Sequence, residues 1–180
     1  MKLIKISACL IIILAGCQPP QQAGNDAFEK NSKTAMAYLE GFQNESLDYA
    51  SLYAEDVVIR GTGVNDPDSI SLEDAMKQND MAWANFDFKL LGDEVVLLPG
   101  VNVDTKMADG SVRYYGDWEV IRPATDSTEA RSGIIKIYES FDFDIDGKIV
   151  FQQAYGDFSG IMMLMMGEGD SEDNADDDQM

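Results

Sequence analysis

The chain has 180 residues, 33 of them acidic and 13 basic, for a net charge of -20 at neutral pH. A surface of that sign repels nucleic acid and anionic head groups, so no nucleic-acid partner is expected. Histidine is absent, which removes imidazole bases, Ser-His-Asp and Cys-His nucleophile systems and most zinc sites; neither a metal site nor a cofactor is expected.

Along the chain, Lys2 and Lys5 precede an apolar run from Ala8 to Leu14. The run is too short to span a bilayer, which takes about 20 residues. Basic residues, a short apolar run and then small residues form the order of a signal peptide, assigned to residues 1–16. Leu14-Ala15-Gly16-Cys17 resembles the bacterial lipoprotein box, in which the chain is cut before the Cys and the Cys is acylated. The resemblance implies that Cys17 holds the protein to the lipid bilayer, where several acyl chains anchor stably and one does not. Gln18 after the Cys implies the outer membrane, and the lack of an adjacent acidic cluster a periplasm-facing domain. Residues 17–26, rich in Gln and Pro, read as a flexible tether. With Cys9 in the signal and Cys17 acylated, the folded part keeps no thiol for a disulfide or a nucleophile.

One folded domain is expected over residues 27–166, a length that supports a core. Phe28, Ala35, Tyr38, Leu39 and Phe42 fall on one face of a helix from Ala27 to Phe42. A second helix is predicted from Ser46, as N-cap, to Ala54, then a strand from Asp56 to Arg60 and a turn-rich stretch to Ser69. Ser71 and Asp74 open a third helix in a near capping box, ending near Asn85. Strand character runs through Phe86–Leu90 and Val95–Leu98. Two hairpins follow, Val101–Lys106 with Val112–Ile121 around Asp109-Gly110, and Ile134–Ile145 with Ile149–Phe158 around Asp146-Gly147. Residues 167–180 form an acidic tail without apolar periodicity. Helices followed by an antiparallel sheet predict an α+β fold, with the N-terminal helices packed on one face of a strongly curved sheet to enclose a cone-shaped cavity.

The order of these elements, with LYAEDVVI, a helix starting at SLEDAM and the closing FDFDIDGKIVFQQAYGDF, resembles the nuclear transport factor 2-like superfamily. That superfamily includes the SnoaL-like polyketide cyclases and the ketosteroid isomerases. The resemblance covers about Phe28 to Phe158 and implies a cystatin-like cone whose chemistry is done by carboxylates and tyrosines facing inward. By that resemblance, the Asp base of the ketosteroid isomerases would fall near Arg60–Asp66. Arg60 is a poor base, and Asp66 and Asp68 flank Pro67 in a turn, so isomerase chemistry fits poorly there. Asp157 beside Tyr155 resembles the acid that the cyclases place on a late strand. Tyr115 alternates with Asp117 and Glu119 on one face of its strand, and Tyr114, Gly116, Trp118 and Val120 take the other. Asp157, Tyr155 and Tyr115 are therefore the catalytic candidates, and Tyr38, Arg60, Trp83, Phe86 and Trp118 the candidate ligand pocket.

Asp142, Asp144, Asp146 and Gly147 imitate the start of a calcium loop, but position twelve is Gln153 and not Glu, so a hairpin turn is expected. The Met-rich segment 161–166 fits a short buried helix, a plug at the cone mouth, a pocket cover or a dimer contact. With no His and no evident acid-base pair, the expected function is a membrane-anchored lipoprotein whose cone binds a small apolar molecule or a protein partner without catalysis. The alternative is a cofactor-free isomerase, cyclase or dehydratase with an Asp/Tyr pocket. A homodimer through the sheet is a further expectation that the resemblance implies.

Overall fold

The computed structural model describes residues 20–167. The predicted signal, Cys17 and the acidic tail beyond Gly167 lie outside the described residues. Helix α1 (Pro20–Gln43) starts seven residues before the predicted Ala27 and takes in part of the expected tether. Two side-chain pairs four residues apart, Gln21 with Asn25 at 3.1 Å and Gln22 with Asp26 at 2.8 Å, support this first stretch. Gly24 lets it press against the sheet, since a Cβ there would lie 1.9 Å from the Ala108 carbonyl oxygen. That contact is tertiary and leaves no trace in helical periodicity.

The second helix is one turn only, α2 (Tyr49–Leu52), capped by Asp48 in place of Ser46: the Asp48 carboxylate accepts from the Ser51 amide at 3.2 Å. Tyr53 then leaves in an extended conformation and opens β1 (Tyr53–Arg60), three residues earlier than predicted. Helix α3 (Leu72–Trp83) has the expected N-cap, with the Ser71 hydroxyl accepting from the Asp74 amide at 3.1 Å. The remaining strands are β2 (Asp87–Val101), β3 (Ala108–Arg122), β4 (Arg131–Phe143) and β5 (Ile149–Tyr155), and α4 (Phe158–Met166) closes the domain.

The five strands form one sheet in the order β1-β5-β4-β3-β2. It is antiparallel except at one edge, where β1 runs parallel to β5. The two predicted strands around Gly92 are one strand with a bulge, seen as a register shift between Leu91 and Val96; Gly92 sits there at φ +104°. A bulge bends its strand and increases twist. The first hairpin turns six residues before the predicted site. Asn102 makes that turn by accepting the Asp104 and Thr105 amides, both at 3.0 Å. Asp109-Gly110 lies inside β3, where the glycine serves packing: a Cβ would meet Ala27 at 2.7 Å, and the Gly110 carbonyl accepts from buried Asn31 at 2.8 Å. The D-x-D-x-D-G segment does form the β4–β5 turn, with the Gly147 amide donating to the Asp144 carbonyl at 3.1 Å.

The fold is therefore the expected α+β cone. Ala35, Tyr38 and Leu39 of α1 pack on Val112, Tyr114, Trp118, Ile135 and Phe141 of the concave sheet face. Burying each of the larger side chains contributes about 2 kcal/mol.

Candidate active site

Strand parity selects the functional residues. Along β4, Ile135, Glu139 and Phe141 are buried and Ile137 and Phe143 partly so, while Ile134 and Lys136 face out. Glu139 is thus the carboxylic acid on an otherwise apolar inward row, and it is 5% exposed. It lies at the wall of a cavity of about 420 Å³ enclosed by α1, α3, α4 and the concave face, lined among others by Phe42, Phe86, Trp118, Ile135 and Ile161. A second chamber of about 120 Å³, lined by Tyr53, Arg60, Gln152 and Gln153, shares Tyr38 and Glu139 with the first.

Glu139 is held by a chain of polar groups. The Gln152 amide donates to its carboxylate at 2.6 Å, and the Gln152 carbonyl accepts from the Tyr53 hydroxyl at 2.5 Å. Burial pushes the Glu139 carboxyl up from 4.5 to about 7, while hydrogen bonds from Gln152 and Tyr38 pull the other way. Burial, then the charge of Glu139, raises Tyr38 and Tyr53 well above the usual phenol range, so both remain protonated donors. A carboxyl with both forms populated near neutrality can take a proton and return it. Among the described residues, no group of three or more His, Cys, Asp or Glu is placed to hold a metal ion.

The expected pocket residues divide. Tyr38, Phe86 and Trp118 line the larger cavity, and Arg60 lines the smaller. Trp83 stands behind the wall: its indole N–H donates to the Phe42 carbonyl at 3.1 Å and its ring packs on Phe42 at 5.6 Å. The structure does not bring the three catalytic candidates to the cavity. Tyr115 and Tyr155, 48% and 46% exposed, lie on the outer sheet face on either side of Tyr138, with ring centroids 4.9 and 5.8 Å from it. Strand β5 ends at Tyr155, so Asp157 is not a strand residue; it is the N-cap of α4 and accepts the Gly160 amide at 2.9 Å. The Met-rich segment forms α4, with Ile161 and Met162 in the cavity wall, Met165 fully buried and Met163 and Met166 exposed.

Sequence reasoning passed over Glu139. Its signal was present in I-x-I-x-E-x-F-x-F from Ile135 to Phe143, one acid replacing an apolar residue in an alternating row. Asp157 drew attention because it neighbours Tyr155 in sequence, whereas Glu139 meets Tyr38, Tyr53 and Gln152 only after folding.

No family model and no curated protein matches the sequence. Solved structures do match the fold. A candidate polyketide cyclase from Xanthomonas campestris pv. campestris superposes with a TM-score of 0.58 at 16% identity, over 77% of this chain and 98% of that one. An LEH-like epoxide hydrolase from M. tuberculosis gives 0.55 at 14% identity, over 78% and 92%. A candidate SnoaL-like polyketide cyclase from Shewanella putrefaciens gives 0.55 at 13% identity, over 91% and 99%. The chain has the nuclear transport factor 2-like fold. These neighbours are described as enzymes, and they overturn the expectation of a cone that binds without chemistry; the catalytic alternative is the better supported.

Proposed function

We propose that the cone is the active site of a cofactor-independent enzyme of the isomerase, cyclase or dehydratase type, with Glu139 as the proton-transfer group. The observation that carries this reading is a single buried carboxyl, poised near neutrality, on the wall of an apolar cavity. In its ionised form Glu139 takes a proton from a carbon acid, a hydroxyl or a bound water. In its protonated form it returns that proton to another atom of the same molecule, so an isomerisation or ring closure leaves no net change in the enzyme. Gln152, itself held by Tyr53, keeps the carboxyl aimed into the cavity, and the apolar walls keep competing water away. The lipoprotein-box resemblance supports a second proposal, that acylated Cys17 tethers this enzyme to the outer membrane on the periplasmic side.

The test needs no knowledge of the natural substrate. 2-Tetralone is a flat apolar ketone with exchangeable α protons. The protein should accelerate deuterium uptake at that carbon, following a protonation step near pH 7, and Glu139→Gln should lower the rate by about 100-fold. Equal exchange by the two proteins would sink the assignment.

A further inference from the structure

The inward face of α3 repeats the pattern of β4, with polar groups set in an apolar row. Ala75, Gln78, Asn79 and Ala82 follow helical spacing and line the two chambers. A helix face turned to a core is ordinarily apolar, and here two carboxamides stand between two alanines. The chambers share five residues: Tyr38, Gln78, Asn79, Glu139 and Ala154. Glu139 and Ala154, paired in register on β4 and β5, form the sheet side of that junction. Gln78 and Asn79 form its helix side.

Removing a proton from carbon leaves negative charge on the substrate, and a donor must meet it. The lining of the larger cavity contains no Lys or Arg, so that donor is neutral. The Tyr38 hydroxyl is already engaged with Glu139 and Gln152. Gln78 is exposed and makes no side-chain hydrogen bond among the described residues, so nothing fixes its orientation. Asn79 is half-buried and fixed: its amide nitrogen donates to the Tyr49 hydroxyl at 2.9 Å. A carboxamide carries two N–H donors, so one remains for a ligand. The Tyr49 ring stacks on Tyr53 at 6.0 Å and 21°, and Tyr53 holds the Gln152 that bonds Glu139. One tyrosine pair thus orients both the carboxyl on the sheet and the carboxamide on the helix. Donors held in advance stabilise a developing charge without reorganisation.

We propose that Asn79 is a second catalytic residue, whose free N–H bonds the carbonyl oxygen of a neutral apolar ketone while the α carbon lies against Glu139, and that Tyr49 is its positioning residue. The Glu139 carboxylate takes the α proton. The C–H electron pair becomes a carbon–carbon π bond, and the carbonyl π pair moves to the oxygen that Asn79 holds. Return of the proton from Glu139 to carbon restores the carbonyl, and return to a different carbon of a conjugated substrate completes an isomerisation. An anionic substrate is disfavoured, since no cation lines the larger cavity and Glu139 is itself an acid. This deepens the proton-transfer reading and rests on it for the base alone.

The probe is 2-tetralone labelled with carbon-13 at the carbonyl, added to the full-length protein at about pH 8.5, where Glu139, titrating at about 7, is ionised and only accepts. In the wild type the bound carbonyl resonance should stay at or downfield of its position in water. In Asn79→Leu it should move towards its position in hydrocarbon. The same substitution should lower the saturating exchange rate by about 100-fold, with KM within about threefold of wild type. Tyr49→Phe should lower that rate by about tenfold and add nothing to Asn79→Leu, as two groups acting through one contact do; it also serves if Asn79→Leu fails to fold. 2-Naphthoate, an anion of similar size, should not displace the ketone. A resonance that ignores Asn79→Leu, a lack of saturable binding, additive losses in the double variant or displacement by 2-naphthoate overturns the inference. Equal exchange by wild type and Glu139→Gln, with the carbonyl resonance still dependent on Asn79, would sink the base alone.

Discussion

Replacing Glu139 with Gln measures what it costs the fold to keep a carboxylate in the cavity. In the unfolded chain the carboxyl titrates at its ordinary 4.5, and in the fold at about 7. Between those values the folded state holds a proton that the unfolded state has released. Stability therefore falls as pH rises through the window, and the cost is complete above about pH 7. At 1.36 kcal/mol per pH unit, the difference corresponds to about 3 kcal/mol. A domain of this size is stable by roughly 5–15 kcal/mol in all, so the loss is a large share of the total. The remaining surface acids titrate in both proteins, so the pH dependence of interest is the difference between wild type and Glu139→Gln. Urea midpoints should coincide below about pH 4, where the carboxyl is protonated in the folded and the unfolded chain alike. They should separate by about 1–2 M at about pH 8, with the Gln variant the more stable. Gln keeps the length of the side chain and an oxygen to accept from Gln152, whose amide donates to Glu139 at 2.6 Å. A difference that stays constant from pH 4.5 to 8 would refute the reasoning, because the carboxyl would then be as well solvated in the fold as in the unfolded chain.

Asp157→Ala should cost about 1 kcal/mol in thermal or urea unfolding through loss of the α4 cap, with 2-tetralone exchange unchanged; a loss of exchange beyond the loss of folded protein would restore Asp157 as a catalytic candidate. Tyr115→Phe and Tyr155→Phe should leave exchange untouched, since both hydroxyls lie on the outer sheet face; a fall in either rate would place that hydroxyl in the site. Cys17→Ser should move the protein from the membrane pellet to the soluble fraction of its own host. Continued pelleting would rule out the lipid anchor.

How much was legible depends on the range of the cause. Local causes were readable. The Ser71 cap of α3, the β4–β5 turn and the inward row of α1 come from neighbours within a few residues, and the helices-then-strands order sufficed for the α+β cone. The α2 boundary slipped because Ser46 and Asp48 are both good caps, and the choice fell to Tyr53, whose extended pairing with Ile149 starts β1 early. The Asp109-Gly110 hairpin was misplaced because a glycine fits a tight turn and a close helix contact equally well in sequence; α1 decided for the contact.

The sequence by itself determined the alternation that points Trp118 inward and Tyr115 outward, and it determined the apolar face of α1. Only the tertiary structure decided which inward polar residues meet. Glu139 owes its near-neutral titration to burial beneath α1, β1 and β5, which also bring Tyr38, Tyr53 and Gln152 around it from positions 86 to 101 residues before it and 13 after it, where the hydrogen bonds from Gln152 and Tyr38 moderate the rise. Desolvation is a property of everything packed around a group. No local pattern carries it, and so the carboxyl that stands in the cavity could be placed on a strand from sequence but not recognised as the one held out of water.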